Sequence, residues 1–214
     1  MHPIFAKALA GKLISCFLVS FAYATPISVT TSPNAAIPDN NSVGIISVAN
    51  LSNPDTVNSI DVSVALTHTW VGDLIVRLTH GSNSVTLLNK PGASSPTGAG
   101  DSSNLIASSP LNFSDTGLAA ASTLGSGCTS LETVGVSAGC LNLSFMPDTS
   151  FSTFIGNIAA GDWELTVIDT MDLDRGTLVN WTLNLDVGPA NPVPLPTTLA
   201  LLGFGAIGLL RLRR

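Results

Sequence analysis

The sequence predicts an all-β domain, a β-sandwich or jelly roll, and three observations support this fold class. Apolar and polar residues alternate over four stretches, at 60–68, 74–79, 163–167 and 179–187. Gly, Asp, Asn and Pro residues bound these stretches. No segment of the central chain keeps the 3.6-residue period of a helix. Such alternation is typical of antiparallel strands with one face in water.

The first two predicted strands lie in the first half of the chain. Residues 60–68 alternate apolar side chains with Asp61 and Ser63, which we expect to face the water. Residues 74–79 alternate in the same way and place Arg77 on the wet side. The Pro-, Gly- and Ser-rich stretch 89–103 follows and predicts a surface loop.

The last two predicted strands carry two of the three tryptophans. Trp163 lies on the apolar side of 163–167, and Trp181 lies on the apolar side of 179–187. We therefore expect both rings in the core. Trp70 follows the end of the first predicted strand, and a contact of this ring with carbohydrate stays open at this point.

The charge is distributed unevenly along the chain. Its 214 residues include 8 Lys and Arg against 14 Asp and Glu, for a net charge of −6. Only Arg77, Lys90 and Arg175 lie within residues 25–191, which hold every acidic residue and so carry a net charge of −11. This balance excludes a nucleic-acid-binding surface, which needs clustered basic side chains.

The N-terminus has the pattern of a secretory signal peptide. Lys7 and Lys12 precede an apolar run of twelve residues that ends at the small-x-small site formed by Ala22 and Ala24. That run is shorter than the ~20 residues that a membrane span needs. We therefore predict a signal peptide over residues 1–24, with signal peptidase as a partner during export.

The C-terminus has three parts in a fixed order. A Pro-rich segment comes first, an apolar run over 197–210 follows, and basic residues end the chain. Basic residues after an apolar helix hold that end in the cytoplasm, so the central domain lies on the other side of the membrane. The residues that define this pattern are Val193, Pro194, Pro196, Arg211, Arg213 and Arg214.

This tail, residues 192–214, resembles the PEP-CTERM sorting signal. The usual motif has Glu at its third position, where this chain has Leu195. The resemblance implies recognition and cleavage by an exosortase in the inner membrane of a Gram-negative, exopolysaccharide-producing bacterium. The alternative is a plain C-terminal membrane anchor through a short transmembrane helix at 197–210.

The cysteines predict one structural disulfide. Cys16 lies in the signal peptide, and a lipoprotein site there is disfavoured because no apolar stretch precedes it. Cys128 and Cys140 remain after export, and an even pair in an oxidising compartment most simply forms a bridge. Closing a loop of this size contributes about 3 kcal/mol to stability.

The central domain, 25–190, resembles the P domain (P/Homo B domain) that follows the catalytic domain of kexin- and furin-like proprotein convertases and of many bacterial subtilases. The motifs occur in order over 28–187. The long loop near residues 91–103 and the segment between the cysteines depart from the family pattern. The motifs that carry the resemblance are Ile37-Pro38-Asp39-Asn40, Thr67-His68-Thr69-Trp70-Val71-Gly72-Asp73-Leu74, Phe151-Ser152-Thr153-Phe154, Gly161-Asp162-Trp163 and Gly176-Thr177-Leu178.

The resemblance implies a jelly-roll β-sandwich of the galactose-binding type and an association with serine peptidases. A catalytic domain of the subtilase kind has no counterpart in these residues, and Ser114 lacks the Gly-x-Ser-x-Gly setting of a nucleophile. We predict a structural role for His68 and a solvated position for His80. We therefore expect no catalytic residues in this chain.

Four aspartates are candidate calcium ligands. Asp73 and the turn residues Asp169, Asp172 and Asp174 supply oxygens of the kind Ca²⁺ prefers. Some P domains bind calcium, so the resemblance adds support; Asp101 or Asp115 would complete the set around Asp73. The alternative role for the turn acids is turn formation with an ion pair to Arg175.

Together these features predict an exported, non-catalytic P-domain protein at the cell surface or in the extracellular matrix. Its partner would be a polysaccharide or another exported protein. The alternative is an accessory domain of a serine-type endopeptidase, with a role in proteolysis. Nucleic acid is excluded as a partner, and contact with the membrane is expected only through the C-terminal helix before processing.

Overall fold

The computed structural model describes residues 24–189, which form eleven strands in two packed sheets. Three short 3-10 turns, at Val71–Asp73, Ala121–Thr123 and Phe151–Thr153, interrupt the β structure. The strands are β1 Thr25–Thr31, β2 Ala35–Ile37, β3 Asn41–Leu51, β4 Thr56–His68, β5 Leu74–His80, β6 Asn83–Asn89, β7 Leu111–Ser114, β8 Ala119–Ala120, β9 Ser144–Met146, β10 Gly161–Asp169 and β11 Gly176–Gly188.

The two sheets form a β-sandwich, as the alternation predicts. The larger sheet has the order β1-β11-β4-β7-β9-β8, with β2 also paired to β11. The smaller sheet has the order β3-β10-β5-β6. The two longest strands of the larger sheet, β4 and β11, are neighbours. They pair in antiparallel register from Gly176 opposite His68 to Gly188 opposite Thr56. All four stretches with period-two alternation are strands.

The pairing of β11 corrects one detail of the predicted alternation. The register shifts between Leu178 and Asn180, which is the signature of a β-bulge. The extra residue turns Leu178 into the core and leaves Val179 only half-buried. In β11 the regular alternation of buried and exposed residues, with Trp181 buried, therefore begins after the bulge rather than at Val179.

Two short pairings are parallel, and both involve strands outside the four stretches for which the alternation predicts antiparallel pairing. Strand β9 pairs in parallel with β7 on one side and with β8 on the other. Parallel neighbours require a connection of a dozen residues or more. The chain between β8 and β9 supplies it, and the disulfide between Cys128 and Cys140 closes a loop within that connection. The predicted bridge is confirmed.

The core lies between the sheets and contains the large aromatic side chains. Trp163 and Trp181 are fully buried, as predicted. The Nε1–H of Trp181 donates to Ser47 Oγ at 2.9 Å, and that of Trp163 donates to the carbonyl of Ala159 at 3.0 Å. Both indole donors are thus satisfied inside the core, which removes the cost of burying them.

The predicted surface loop after β6 is exposed only in its middle. Its ends are buried at Lys90 and Ser103. The backbone N–H of Gly72 donates to the carbonyl of Asp101 at 2.9 Å, and that of Asp101 donates to the carbonyl of Pro91 at 2.8 Å. The loop is therefore packed against the 3-10 turn that precedes β5, which the composition of the loop did not indicate.

The signal peptide and the sorting tail lie outside the described residues, apart from Ala24. Within residues 24–189, no helix has the length and apolar character needed to cross a membrane.

Candidate functional site

The predicted acidic site lies at one end of the sandwich, where β4 and β10 end and β5 and β11 begin. Strand pairing places Asp169 opposite Leu74, the residue that follows Asp73. The pairing of β4 with β11 brings His68 opposite Gly176, close to the turn that holds the other acids. The fold therefore gathers residues that are about one hundred positions apart in the sequence.

A buried histidine–aspartate pair forms the centre of this end. His68 and Asp169 are 1% and 0% exposed, and His68 Nε2 lies 3.1 Å from Asp169 Oδ2. His68 Nδ1 lies 2.8 Å from the carbonyl oxygen of Trp70. The backbone N–H of Met171 donates to Asp169 Oδ1 at 3.2 Å. Both ring nitrogens of His68 are engaged with protein atoms, as a structural histidine requires.

This pair does not constitute a serine peptidase site. In a triad the histidine needs one nitrogen facing the nucleophile. Here the second nitrogen faces the Trp70 carbonyl. Ser114 lies on β7, and its hydroxyl oxygen is hydrogen-bonded to that of Thr116, 3.0 Å away. The expectation that His68 is structural agrees with these contacts.

Asp73 is the one predicted ligand with an unpaired buried oxygen. Its side chain is 2% exposed, and Oδ1 has no hydrogen-bond partner among the described residues. The pKa of Asp73 is raised from 3.8 to about 6, mainly by burial and then by the neighbouring carboxylates of Asp169 and Asp174, against the opposing effect of His68 and Lys90. Around Asp73, burial and the neighbouring carboxylates therefore outweigh the nearby positive charge.

The turn acids are already held by protein donors. Asp172 accepts from Asn40 Nδ2 at 2.7 Å, and Asp174 accepts from Thr69 Oγ1 at 2.6 Å. Within residues 24–189, no three His, Cys, Asp or Glu side chains are arranged to hold a metal ion. The described residues thus do not form a complete calcium ligand set, and calcium binding stays a prediction.

The other acids of the predicted set build turns elsewhere. Asp101 accepts from the backbone N–H of Ser103 at 2.9 Å and from its hydroxyl. Asp115 accepts from Ser150 Oγ and from the backbone N–H of Phe151, both at 3.0 Å. These bonds fix a loop and the start of a 3-10 turn.

The predicted ion pair of the β10–β11 turn has a different partner. Arg175 Nε lies 3.8 Å from Asp39 Oδ2, with the arginine side chain 83% exposed. Arg175 therefore pairs with an acid outside this turn, and an exposed pair of this length contributes little to stability.

His80 is more enclosed than predicted. Its ring stacks on Trp163 with centroids 4.0 Å apart, and its two nitrogens lie 2.9 Å from the carbonyl oxygens of Asp162 and Ile158. The residue is half-buried, so the ring is partly exposed while both of its nitrogens contact protein atoms. The turn signal at Gly81 predicts the end of β5, but it carries no information on the contact that His80 makes with β10.

Trp70 is held beside the long loop. Its Nε1–H donates to the carbonyl of Ala99 at 2.6 Å, and the residue is half-buried. This bond ties the indole to the segment that packs on Gly72. A structural role accounts for the position of the ring.

Comparison with known families agrees with both resemblances drawn from the sequence. Residues 131–185 match the model of the proprotein convertase P-domain, and residues 192–214 match that of the PEP-CTERM protein-sorting motif. The P-domain match covers β9, β10 and most of β11, together with part of the loop that the disulfide closes. The sorting motif implies processing by an exosortase and indicates an exported protein that is anchored transiently at the membrane.

Two solved structures are similar to the chain. One is the crystal structure of the Aeromonas sobria serine protease in complex with the chaperone, with 17% identity, a TM-score of 0.48, and coverage of 78% of this chain and 28% of the other. The second is the serine protease of Aeromonas sobria, with 18% identity, a TM-score of 0.45, and coverage of 77% and 27%. The chain thus spans little more than a quarter of these chains. No curated protein matches the chain.

Proposed function

We propose that the chain is an exported, non-catalytic P-domain protein that an exosortase sorts to the cell surface or the exopolysaccharide matrix of a Gram-negative bacterium, where it has a binding or structural role. The observation that carries this proposal is the order of the two family matches, a P-domain segment followed directly by a sorting motif. Neither matched model is a catalytic domain.

The geometry of His68 supports the non-catalytic part of the proposal. A general base must present a nitrogen to the group whose proton it takes. His68 is buried, and both of its nitrogens contact protein atoms. The chemistry of this end of the sandwich is therefore that of a structural hydrogen-bond network.

The proposed maturation uses the two ends in turn. Signal peptidase cleaves after Ala24, and the domain crosses the inner membrane. The apolar run at 197–210 then holds the chain in that membrane until the exosortase cleaves at the sorting motif around Pro194 and Pro196. The terminal arginines would stay on the cytoplasmic side.

The localisation test compares the wild-type chain with a variant in which Pro194 and Pro196 are both changed to alanine. We expect the wild type to leave the inner-membrane fraction and the variant to accumulate there at least several-fold. A matched control changes Pro189, which precedes the motif, to alanine. Equal distribution of all three proteins between the fractions would contradict sorting through this motif.

The second candidate function is that of an accessory domain for a separate serine-type endopeptidase. It is favoured by the P-domain match, because the model is that of a proprotein convertase domain. The test incubates the purified chain with a peptide library, with and without a serine-directed inhibitor. Inhibitor-sensitive cleavage would contradict the non-catalytic proposal, whereas altered activity of a co-purifying peptidase would favour the accessory role.

Calcium at Asp73, Asp169, Asp172 and Asp174 is proposed as a stabilising ion. Its support is the unpaired Oδ1 of Asp73 and the surplus of negative charge around it. A cation there would coordinate Oδ1 of Asp73 and stabilise the ionised carboxylate, which burial otherwise disfavours relative to the protonated form. Turn movement would be required, because Asp172 and Asp174 already bind Asn40 and Thr69.

A further inference from the structure

The outer face of the larger sheet carries a continuous band of small polar side chains. The strand register aligns them in two rows that cross the sheet. With neighbouring strands about 4.8 Å apart, the rows are about 14 Å and 19 Å long. One row consists of Ser28, Asn184, Asp61 and Ser114, and the other of Thr30, Thr182, Ser63, Asn112 and Ser144.

Three adjoining depressions lie along this band, and all three include Asp61 in their walls. Their volumes are about 340, 380 and 360 Å³. The depression of about 380 Å³, called the central depression below, lies between β11 and β9 and is the one lined by residues of both rows. Its polar lining is Asp61, Ser63, Asn112, Ser114, Thr116, Ser144 and Asn184.

Hydrogen bonds between neighbouring side chains occur along the band, including one between Ser114 and Thr116, but they do not involve Asp61. Ser28 Oγ donates to Asn184 Oδ1 at 2.7 Å, the hydroxyls of Thr30 and Thr182 lie 2.7 Å apart, and Ser59 donates to Asp186 at 3.1 Å. Among residues 24–189, no side chain donates to the exposed carboxylate of Asp61. The centre of the band therefore presents an open acceptor.

The charge of the band limits what it can bind. The residues that line the three depressions include no Lys and no Arg. An anionic polymer would meet only carboxylates and neutral groups there, within a domain that is strongly acidic. A neutral ligand rich in hydroxyl groups avoids this repulsion and supplies the donors that Asp61 lacks.

The composition of the band also disfavours a protein partner. The centre of a protein interface is enriched in aromatic residues, Met and Arg, and depleted of Ser and Asp. The outer face of the smaller sheet is more apolar, with exposed Ile46 and Val48 on β3 opposite Thr166 and Glu164 of β10. The larger sheet has instead an array of hydroxyl, amide and carboxylate groups.

We propose that the outer face of the larger sheet binds a neutral polysaccharide, with Asp61 accepting hydrogen bonds from two adjacent sugar hydroxyls. The Nδ2 group of Asn184 and the hydroxyl of Ser63 lie beside Asp61 in the same depression and offer donors to ring or hydroxyl oxygens. Charge-assisted hydrogen bonds to Asp61 supply most of the affinity. This inference rests on the proposed binding role and names its ligand class.

The test measures binding of the full chain to immobilised polymers by biolayer interferometry. The chain is purified in a detergent that has no sugar headgroup, because a sugar headgroup would compete with the polymer for the site. The probes are three neutral polymers (dextran, galactomannan and hydroxyethylcellulose), anionic dextran sulfate and cationic diethylaminoethyl-dextran. We expect at least one neutral polymer to bind, with affinity that changes little between low and high salt, and dextran sulfate not to bind.

Two variants locate the site. Asp61→Asn should weaken binding of the neutral polymer by about tenfold or more, because it removes a charged acceptor. Glu164→Gln is the matched control, since it removes one carboxylate from the outer face of the other sheet and should leave binding unchanged. Ser63→Tyr, which fills the central depression, gives a second, steric loss of binding.

Three results would overturn this inference. They are binding by none of the neutral polymers, binding by the cationic polymer alone with loss at high salt, and neutral-polymer binding that folded Asp61→Asn retains. None of them bears on export or on the absence of catalysis, which the membrane-fraction and peptide-library experiments decide separately.

Discussion

The two aspartate-rich regions of this domain use the same side chain in opposite ways. At the end of the sandwich, Asp169 is fully buried and bonded to His68, and Asp73 is buried with one oxygen unpaired. On the face of the larger sheet, Asp61 is exposed, with polar neighbours on adjoining strands. Burial, rather than residue type, therefore assigns the first group to the fold and leaves the second available to a ligand.

The largest expected effect is that of His68→Ala at the buried end. The change removes the side-chain hydrogen-bond partner of Asp169 and leaves a cavity, so we expect a loss of about 2–4 kcal/mol in the free energy of unfolding. Urea denaturation followed by tryptophan fluorescence measures it. A loss below about 0.5 kcal/mol would show that the buried pair does not support the fold.

Asp73→Asn should instead stabilise the domain at neutral and higher pH. The folded-state pKa of Asp73 is raised from 3.8 to about 6, so its proton favours folding below pH 3.8 and this contribution is lost as pH rises through about 6. The asparagine stays neutral. We expect the variant to be about 1–2 kcal/mol more stable than the wild type at pH 8, with little difference at pH 4.

The proteins are first stripped of metal with EDTA at pH 8 and then denatured in metal-free buffer at each pH, which measures this difference without any contribution from a metal ion. A variant less stable than the wild type at pH 8 would mean that the ionised carboxylate of Asp73 is favourably held in the folded state. That result would contradict the account of its environment.

The calcium prediction has a smaller expected effect and uses the same variant. A bound ion would satisfy the unpaired oxygen of Asp73 and raise Tm by a few degrees at calcium concentrations well above its Kd. Asp73→Asn should lose most of that rise, whereas Asp61→Asn should keep it. Identical melting curves of the wild type in calcium and in EDTA would make the calcium prediction wrong.

The smallest expected effect is that of Asp61→Asn on stability. An exposed carboxylate with no donor among the described residues contributes little to folding, so we expect a change within about 0.5 kcal/mol at neutral pH. Thermal melting beside Glu164→Gln measures it. A loss above about 1 kcal/mol would assign Asp61 a structural role like that of the buried acids and remove the contrast between the two regions.

The sequence predicts the long strands well because each has a dry and a wet face. The alternation in β4 and β11 locates the core positions of Val62, Trp181 and Leu183, all of which are fully buried. The short strands β8 and β9 are two and three residues long, too short for a period to be read. The bulge near Leu178 depends on pairing with β4 and has no local signal.

The candidate sites were only partly predictable for the same reason. The motif around His68 and the turn around Asp169 were visible, but their contact spans 101 residues and depends on sheet order. The polar band was present as the wet half of each alternating strand, at Asp61 and Ser63 for example. Its continuity appears only when β1, β11, β4 and β7 are placed side by side.

The most direct test of the central claim is the mass of the C-terminus in mature protein. The protein is recovered from the surface or matrix fraction of native cells, digested, and its C-terminal peptide is identified by mass spectrometry. Sorting by an exosortase predicts a chain that ends within or just after the Pro194–Pro196 motif and lacks the terminal arginines. Mature protein that still carries Arg211, Arg213 and Arg214 would contradict it.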